Sequence, residues 1–391
     1  MNHFFEPNGL SPSAPLCPVR PFLWSVVAIG LALLPLRCLV AEGAQNVLPL
    51  PADGSTTVTL RLQPEWLWVA ERSENRVRVH TRLRTDIPVS DDIHLVLGVT
   101  TGRRGDPRVP DVLYDEGSFG PAILRAAPLG VEWRCSEHPD VWVNLGRIEA
   151  PWWSVENLVL DPDWDPVGAA AHFEHRHGSV RTRAVASVIS LVDMGRPDWR
   201  LYAAQAAAQW KPSPQWRLTS GVSALIHEQA EGERPLLSHR TAEGNTLRPT
   251  PAAPQEDSHL ATNYHVLEGF TQAVWDPWMP VTFSAQYVIN AAAARQREGW
   301  LVGIALGRSR AVGGWAVGWN YRRLQADATV SALADSEFGG GGTGLEGRRL
   351  YLSFHPVPRL WVTASWTDAY RNRRGPDLRD QRAQLDLTLQ W

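Results

Sequence analysis

The sequence predicts an all-β fold: a transmembrane antiparallel up-and-down β-barrel of about 16 strands, with about 14–18 strands compatible with the pattern. Three observations support this fold class. Segments of roughly ten residues alternate between apolar and polar side chains, as tilted membrane strands require. Short and long connections between these segments alternate along the chain. Beyond the N-terminal region, no run of about 18 apolar residues could form a transmembrane helix.

Residues 1–44 are predicted to be a signal peptide, with cleavage near 41–44. Arg20 precedes an apolar stretch, and small residues follow at Ala41 and Ala44, which is the order typical of an export signal. A lipoprotein signal is excluded because Arg37, rather than a small residue, precedes Cys38. Residues 45–56 then form a short periplasmic lead, and residues 57–391 form the barrel domain.

Sixteen segments after residue 55 carry the alternating or aromatic-capped pattern of membrane strands. Their lengths are close to the about 9–11 residues with which a tilted strand crosses the bilayer. The predicted strands are residues 58–69, 75–85, 92–101, 128–136, 141–148, 168–176, 179–190, 199–210, 215–227, 263–275, 280–290, 299–308, 314–324, 347–356, 359–370 and 381–391.

The connections support the same assignment independently. Every second connection is a short turn, namely residues 86–91, 137–140, 177–178, 211–214, 276–279, 309–313 and 357–358. The others include long segments rich in Gly, Pro and charge, namely residues 102–127, 149–167, 228–262, 325–346 and 371–380. Short periplasmic turns on one rim and long extracellular loops on the other are typical of outer-membrane barrels.

The alternation also predicts which side chains face the lumen. In the second predicted strand, apolar residues alternate with Arg76, Arg78, His80, Arg82 and Arg84. A charged side chain that faces lipid near the bilayer midplane costs about 2–4 kcal/mol. We therefore expect Arg76, Arg78, Arg82 and Arg84 to form a basic, pore-lining wall.

The last predicted strand ends on a tryptophan. Leu385, Leu387, Leu389 and Trp391 share one face of this strand, because strand side chains alternate with period two. In a barrel that face meets lipid. A soluble secreted β-protein, in which the same face meets a core, is the alternative interpretation. We expect Leu387, Leu389 and Trp391 to be the signal that the barrel-assembly machinery recognises.

The composition limits which partners the protein can bind and which chemistry it can carry out. The formal net charge is −3, so the basic surplus that a nucleic-acid partner needs is absent. The 19 Trp residues suit a membrane–water interface, where an indole ring lies half in lipid. Cys135 alone remains after signal removal, so no internal disulfide is expected. No HExxH or GxSxG motif occurs, and no catalytic residue, cofactor or metal is predicted.

Several stretches resemble the "putative porin" family of bacterial outer membranes. The most specific parts are the G-R, P-W and D-P-D pattern and the D-S-E-F-G-G-G-G run. They lie within VNLGRIEAPWWSVENLVLDPDWDPVGAAAHFE (143–174), NYHVLEGF (263–270), GWLVGIALG (299–307) and GWAVGWNYRRLQADATVSALADSEFGGGG (314–342). The resemblance covers most of the mature chain. It implies an outer-membrane β-barrel of a Gram-negative bacterium that lets small solutes pass.

We expect residues 149–167, between the fifth and sixth strands, to fold into the barrel and narrow it. In general porins of sixteen strands the third long loop has this position, so the expectation is an architectural analogy. The acidic residues of the loop, placed opposite the basic wall, would create a transverse field that sets charge preference. The alternative is a surface loop whose acids keep it soluble. The acidic residues are Glu149, Glu156, Asp161, Asp163 and Asp165.

Two motifs in the long loops partly resemble ligand sites. The aspartates of residues 161–165 lack the EF-hand pattern, because Pro166 stands where Gly is needed and His172 where the bidentate Glu is needed. A looser calcium site in this loop is left open. The GGGG run at residues 339–342 lacks the Lys of a phosphate-binding loop and predicts a flexible external loop.

The histidines of residues 172–177 are close together in the sequence, as metal ligands often are, but a strand would not bring their side chains together. On a strand, His172 and Glu174 point to one face, while His175 and His177 point to the other. Side chains on opposite faces of a sheet cannot share one ion. The sequence therefore favours a structural role for these histidines.

The sequence predicts a passive channel, an outer-membrane porin with a water-filled lumen for small hydrophilic solutes or ions. The competing interpretation is an outer-membrane barrel that anchors an enzyme or an adhesin. An adhesin would need larger external loops than residues 228–262, the longest loop here. Expected partners are the lipid bilayer, lipopolysaccharide, the barrel-assembly machinery and small hydrophilic solutes. A homotrimer is compatible with this interpretation, and nucleic acid is excluded as a partner.

Overall fold

The computed structural model describes residues 54–69, 72–103, 112–115, 118–119, 122–191, 196–236, 244–248, 258–371 and 378–391. The predicted signal peptide lies outside the described residues. Within these ranges, no helix is long and apolar enough to cross a membrane.

The fold is a closed antiparallel β-barrel of sixteen strands. The main sheet has 18 strands, of which Val112–Asp115 and Ser118–Phe119 form a short hairpin beside the second barrel strand. The barrel strands are β1 Ser55–Val69, β2 Arg72–Pro88, β3 Ile93–Arg103, β4 Ala122–Arg134, β5 Val141–Arg147, β6 Val167–His177, β7 Val180–Leu191, β8 Arg196–Ser213, β9 Trp216–His227, β10 His265–Trp275, β11 Val281–Asn290, β12 Glu298–Gly307, β13 Trp315–Leu324, β14 Leu345–Val357, β15 Leu360–Arg371 and β16 Leu378–Gln390.

Each strand pairs with its neighbours in the chain, and β16 pairs with β1 to close the barrel. The closing register places Leu60 opposite Leu389 and Leu62 opposite Leu387. Val58 and Trp391 exchange backbone hydrogen bonds of 3.0 and 2.9 Å at the end of this seam. Closure satisfies the backbone groups that an open sheet edge would leave unpaired in lipid. The predicted fold class is confirmed.

Alternate residues of each strand face the interior and the lipid, as the sequence predicts. In β8, Leu201, Ala203 and Gln205 are buried, while Tyr202 and Ala204 are exposed. Because a barrel in lipid has an apolar outer band, large apolar side chains remain exposed on that face. They include Val222, Leu267, Phe283, Leu350 and Leu352. Among the tryptophans beside the short turns, Trp216 and Trp275 stack with ring centroids 6.1 Å apart.

The connections at one end of the barrel are short, as predicted. One of the two-residue turns joins β6 to β7 through residues 178–179, where Gly178 has a positive φ of 55° that most side chains would disfavour. At the other end, long connections span residues 104–121, 148–166, 228–264 and 325–344. Several strand boundaries differ from the expectation: β1 begins at Ser55, inside the predicted periplasmic lead, and β4 begins at Ala122 where residue 128 was expected.

The interior holds an apolar cluster to which three of the long connections contribute. Leu158 and Trp164 come from residues 148–166, Tyr264 from residues 228–264, and Leu333 and Phe338 from residues 325–344. They pack with inward-facing strand residues that include Ile189, Leu201, Val288 and Leu301. Burial of this apolar surface is the main force that holds the connections against the wall. The prediction of a flexible external loop at residues 339–342 is wrong, because Gly339, Gly341 and Gly342 are buried.

Candidate functional site

The first half of the predicted basic wall pairs with an acid on the neighbouring strand. Arg76 and Arg78 of β2 both contact the carboxylate of Glu65 in β1, with 3.1 Å between Arg78 Nε and Glu65 Oε1. Glu65 is 0% exposed and also accepts a hydrogen bond from Gln384 of β16. A buried carboxylate needs such compensation, because an unpaired charge in a protein interior is costly. The three strands at the closing seam are therefore joined through one acid.

The second half of the basic wall pairs with the long connection between β5 and β6, which we call loop A (residues 148–166). Arg82 lies 3.0 Å from Glu149 and 3.1 Å from Asp165. Arg84 contacts Glu149 as well, and also pairs with Asp86 of its own strand at 2.8 Å. The expected arrangement had a basic wall and an acidic loop facing each other across the lumen. In the structure these charges form direct ion pairs, because loop A lies against β2.

Two of the three remaining acidic residues of loop A point to other walls. Glu156 accepts a hydrogen bond of 3.2 Å from Asn320 of β13. Asp163 lies 3.6 Å from Arg61 of β1. Because β13 lies four strands from β1 around the closed barrel, the five predicted acids are spread along loop A and do not form one cluster.

Loop A also bonds to the barrel through its backbone. The amide N–H of Trp153 donates to Gln205 Oε1 at 2.8 Å, and Gln205 Nε2 donates back to the Trp153 carbonyl at 2.9 Å. Arg183 of β7 donates to the carbonyl of Pro151 at 2.9 Å. Strand side chains thus satisfy backbone groups that the loop would otherwise bury unpaired. The inner face of the barrel fixes the path of loop A through Gln205 and Arg183.

A second connection, which we call loop B (residues 325–344), forms hydrogen bonds with loop A. The amide of Asp161 donates to the carbonyl of Leu333 at 2.7 Å, and Asp161 Oδ2 accepts from the amide of Ser336 at 2.9 Å. Arg61 of β1 contacts acids from both loops, because it pairs with Glu337 as well as Asp163. Loop A and loop B therefore form one hydrogen-bonded unit.

The glycine run of loop B forms a backbone cradle for an arginine. Arg371 of β15 donates to the carbonyls of Gly339 and Gly341, the latter at 2.7 Å. Both glycines have positive φ angles, 55° and 85°, which turn these carbonyls toward the guanidinium at little steric cost. The sequence reasoning missed this role. The available signal was the Asp-Ser-Glu-Phe start of the run, since acids and an aromatic residue are unusual in a freely solvated glycine linker.

Burial and neighbouring charges shift the pKa values of three loop carboxyls. Burial raises the pKa of Glu156, and the nearby Arg322 only partly offsets this. Burial also raises the pKa of Asp165, against the opposing effect of Arg82. For Glu337 burial again acts to raise the pKa, but the nearby arginines, led by Arg61, outweigh it and lower the value to about 2. Glu337 is therefore firmly ionised, whereas Glu156 and Asp165 bind protons more readily than ordinary acids.

Two cavities remain beside the first residues of loop A. One, of about 180 Å³, is lined by Glu132, Trp142, Arg147, His172 and Arg183, together with Arg84 and Glu149. The other, of about 340 Å³, is lined by Arg82, Trp152, Trp153, Asp165 and Glu268, together with Glu149 and Asp161. Because both include Glu149 and Ala150, they adjoin along this part of loop A.

The predicted separation of the histidines agrees with the structure. In β6 the His172 side chain is buried, while His175 is exposed and pairs with Asp140 at 2.7 Å. Within the described residues, no group of three His, Cys, Asp or Glu side chains could hold a metal ion. Asp161, Asp163 and Asp165 each bond to different partners, so they offer no shared calcium site.

The residues of the predicted assembly signal lie on the last strand and at its end. Leu387 and Leu389 belong to β16, and both pair with residues of β1 and of β15. Trp391 follows the strand and is 37% exposed. The proposed signal is therefore part of the closing seam and remains accessible at its end.

Comparisons with known proteins agree with this architecture. The sequence family described as "Putative porin" matches residues 51–255 and 259–391. No curated protein matches the chain in sequence. The high-pH structure of OprB from Pseudomonas putida is 12% identical, with a TM-score of 0.56, and the match covers 86% of this chain and 94% of that chain.

Two further solved structures share the fold. The low-pH structure of the same OprB is 10% identical, with a TM-score of 0.52 and coverage of 86% and 92%. A loop L8 deletion mutant of OmpT, an outer membrane protein of Vibrio cholerae, is 8% identical, with a TM-score of 0.50 and coverage of 86% and 99%. At these identities the structures show a common barrel fold and nothing finer.

Proposed function

Since the chain belongs to the "putative porin" family and forms an outer-membrane barrel, we propose that it is a narrow channel for the passive diffusion of small hydrophilic solutes or ions. The observation that carries this proposal is the polar inner surface beside loop A, where charged side chains border two adjoining cavities. Rings and walls of charged side chains are a common means of selecting ions in pores. No catalytic step is part of the proposal.

We propose further that loop A and loop B act together as the constriction. Loop A contacts β1, β2, β7, β8 and β13, and loop B is bonded to loop A. A loop that reaches so many strands of a closed barrel must cross its interior. The conductance of such a channel should be small compared with that of a barrel whose lumen holds only one loop.

Single-channel recording in a planar bilayer tests the proposal. Purified, folded protein should insert and give discrete conductance steps in potassium chloride, whereas protein unfolded by heat in the same detergent should give none. Folded protein that inserts into the bilayer without conducting would overturn the channel. The competing function, a barrel that only anchors another activity, would then be favoured.

The charge preference follows from the ion pairs around Arg82. Changing Arg82→Gln leaves Glu149 and Asp165 with less compensation, so the lumen should become more attractive to cations. The measurement is the reversal potential in a salt gradient, compared between wild type and variant. An unchanged potential would mean that these charges do not govern permeation.

We also propose that copies of the chain associate as a homotrimer. The outer faces of β7 and β8 carry small exposed residues, namely Ala184, Ala186, Ala204, Ala206 and Ala208. Small side chains allow two barrel walls to approach closely, as they do between membrane helices. Chemical crosslinking in mild detergent should give a trimer band in wild type and less of it in an Ala206→Leu variant. A monomer at all crosslinker concentrations would contradict this part of the proposal.

A further inference from the structure

We propose that the smaller cavity beside loop A is a binding site for small monocarboxylates that have an apolar body. This inference rests on the proposed channel and names a class of solute that would occupy it. The cavity, of about 180 Å³, is below the about 300–1,000 Å³ typical of pockets for drug-sized ligands. Its occupant must therefore be small.

Arg183 of β7 supplies the positive charge that is free to bind a ligand, because the other arginines of the lining are engaged: Arg84 by Glu149, and Arg147 by the backbone carbonyl of Asp165. Its guanidinium lies 5.3 Å from the ring centroid of Trp153 and donates to the Pro151 carbonyl, so two loop residues hold it in place. Its Nε is buried without a hydrogen-bond partner, and none of the described carboxylates forms an ion pair with it. The nearby Glu174 is already paired with Arg181 at 2.7 Å. A carboxylate is the ligand that an unpaired guanidinium N–H prefers.

His172 of β6 supplies a second unsatisfied group. Its side chain is only 5% exposed, it lines the cavity, and within the described residues neither ring nitrogen has a hydrogen-bond partner. Its ring stacks on Trp142 with centroids 4.8 Å apart and planes inclined by 3°. Buried polar atoms without a partner are rare in native proteins and indicate a missing ligand or water. One carboxylate could accept hydrogen bonds from both Arg183 and His172.

The other charges of the cavity are already compensated. Glu132 accepts from Arg134 at 2.6 Å and from Asn144 at 3.0 Å, while Glu149 is engaged by Arg82 and Arg84. The two acids therefore leave the field of Arg183 largely uncancelled. Beside the polar Asn144 and Arg147, the wall has an apolar part that includes Val96, Pro128 and Ile148. An apolar body attached to the carboxylate would cover this wall, which inorganic phosphate or chloride would leave exposed.

The test is the block of ion current by benzoate, with uncharged benzyl alcohol as the matched probe. In wild-type channels benzoate should reduce the potassium chloride current in a saturable manner, and benzyl alcohol should not. Arg183→Gln should raise the half-blocking concentration by about tenfold or more, since a hydrogen bond to a charged group contributes about 1.5–3 kcal/mol. The control is Arg217→Gln, which removes an equal charge from the start of β9, outside the lining of either cavity, and should leave the block unchanged.

His172→Phe provides an independent variant, because it keeps a ring on Trp142 and removes the ring nitrogens. It should raise the half-blocking concentration of benzoate several-fold. If Arg183→Gln does not assemble, this variant alone tests the site. Equal block in wild type, Arg183→Gln and His172→Phe would overturn the site. A wild-type channel that conducts but ignores benzoate would overturn this inference alone. A folded protein that conducts no ions would overturn the proposed function itself.

Discussion

Asp161 of loop A accepts a hydrogen bond of 2.9 Å from the backbone amide of Ser336 in loop B, which joins two loops that are far apart in the sequence. The same residue donates its own amide to Leu333, so it contacts loop B through both side chain and backbone. The carboxylate is buried, at 2% exposed for the whole residue. Asp161 is thus the main link between the two loops.

The variant Asp161→Ala should loosen the two loops without preventing barrel assembly, because no strand pairing depends on this residue. Loss of a charged hydrogen-bond acceptor costs about 1.5–3 kcal/mol of local stability. Single-channel recording should then show noisier current and a higher mean conductance than wild type. Asp140→Ala, in an exposed turn at the opposite end, is the control and should behave as wild type. Equal traces from both variants would argue against a linked pair of loops.

Removing Arg78 should destabilise the barrel more than removing Arg82. Arg78→Gln leaves the fully buried Glu65 with Arg76 as its remaining arginine partner, and breaking a buried ion pair costs about 3–5 kcal/mol. Arg82 pairs with Glu149, whose side chain is half exposed, and with Asp165, whose pKa is raised by burial. Arg82→Gln therefore leaves one carboxylate that water can solvate and one that can bind a proton. Unfolding in denaturant, followed by the heat-dependent gel shift of the barrel, measures the difference.

The control for this comparison is the double variant Glu65→Gln, Arg78→Gln, which removes both charges. It should recover part of the lost stability, because no charge is then left unpaired at this position. If Arg78→Gln were as stable as Arg82→Gln, the pairing around Glu65 would contribute little to the seam between β1, β2 and β16.

Most of the barrel could be predicted from the sequence, because strand alternation is a local property. The face that exposes Leu350 and Leu352 and the face that holds Arg78 and His80 both follow from period two and the cost of a charge in lipid. The sixteen strands follow for the same reason, with boundaries shifted by a few residues. The start of β1 at Ser55 is one such shift, since the threonines there have no strong pattern.

The loops could not be predicted to the same depth, because their contacts are nonlocal. Nothing near Asp161 in the sequence indicates that its partner is Ser336, and nothing near Arg371 indicates the carbonyls of loop B. The ion pairs of Arg82 with Glu149 and Asp165 can be predicted only when the course of loop A through the barrel is known. That course depends on Gln205, which lies in a distant strand. Glycine in loop B suggested flexibility, whereas its positive φ angles serve a fixed backbone shape.

Changing Trp391→Asp should sharply reduce insertion into the outer membrane. Trp391 pairs with Val58 at the closing seam and is partly exposed, as a recognition signal for the assembly machinery must be. The measurement is the amount of heat-modifiable barrel in outer-membrane fractions. Trp391→Phe keeps an aromatic ring and should assemble normally. Normal levels of the Asp variant would count against Leu387, Leu389 and Trp391 as the signal.

Acidification should shift the channel toward anions. The pKa values of Glu156 and Asp165 are raised mainly by burial, so these acids lose their negative charge at a higher pH than ordinary carboxyls. Because the pKa of Glu337 is lowered to about 2, its charge and its pair with Arg61 persist over the same range. The reversal potential should therefore move toward anion preference as the pH falls, and the change should begin above the ordinary carboxyl pKa of about 4.

A variant with Glu156→Gln and Asp165→Asn isolates the source of this shift. It should start closer to anion preference at neutral pH and change little on acidification. The sign follows from the direction of the pKa shifts: an acid with a raised pKa in the folded protein is protonated first as the pH falls. A wild-type potential that does not move with pH would show that these two carboxyls lie off the permeation path.

If loop A and loop B together narrow the channel, shortening them should raise its conductance, and conductance is the most direct measure of the pore's width. Three variants are compared with wild type: loop A with residues 152–163 replaced by a short Gly-Ser linker, loop B with residues 328–341 replaced likewise, and both together. All retain the sixteen strands, so the heat-dependent gel shift should confirm assembly. Each single variant should conduct more than wild type, and the double variant should conduct most. Assembled variants that all conduct as wild type would contradict this expectation.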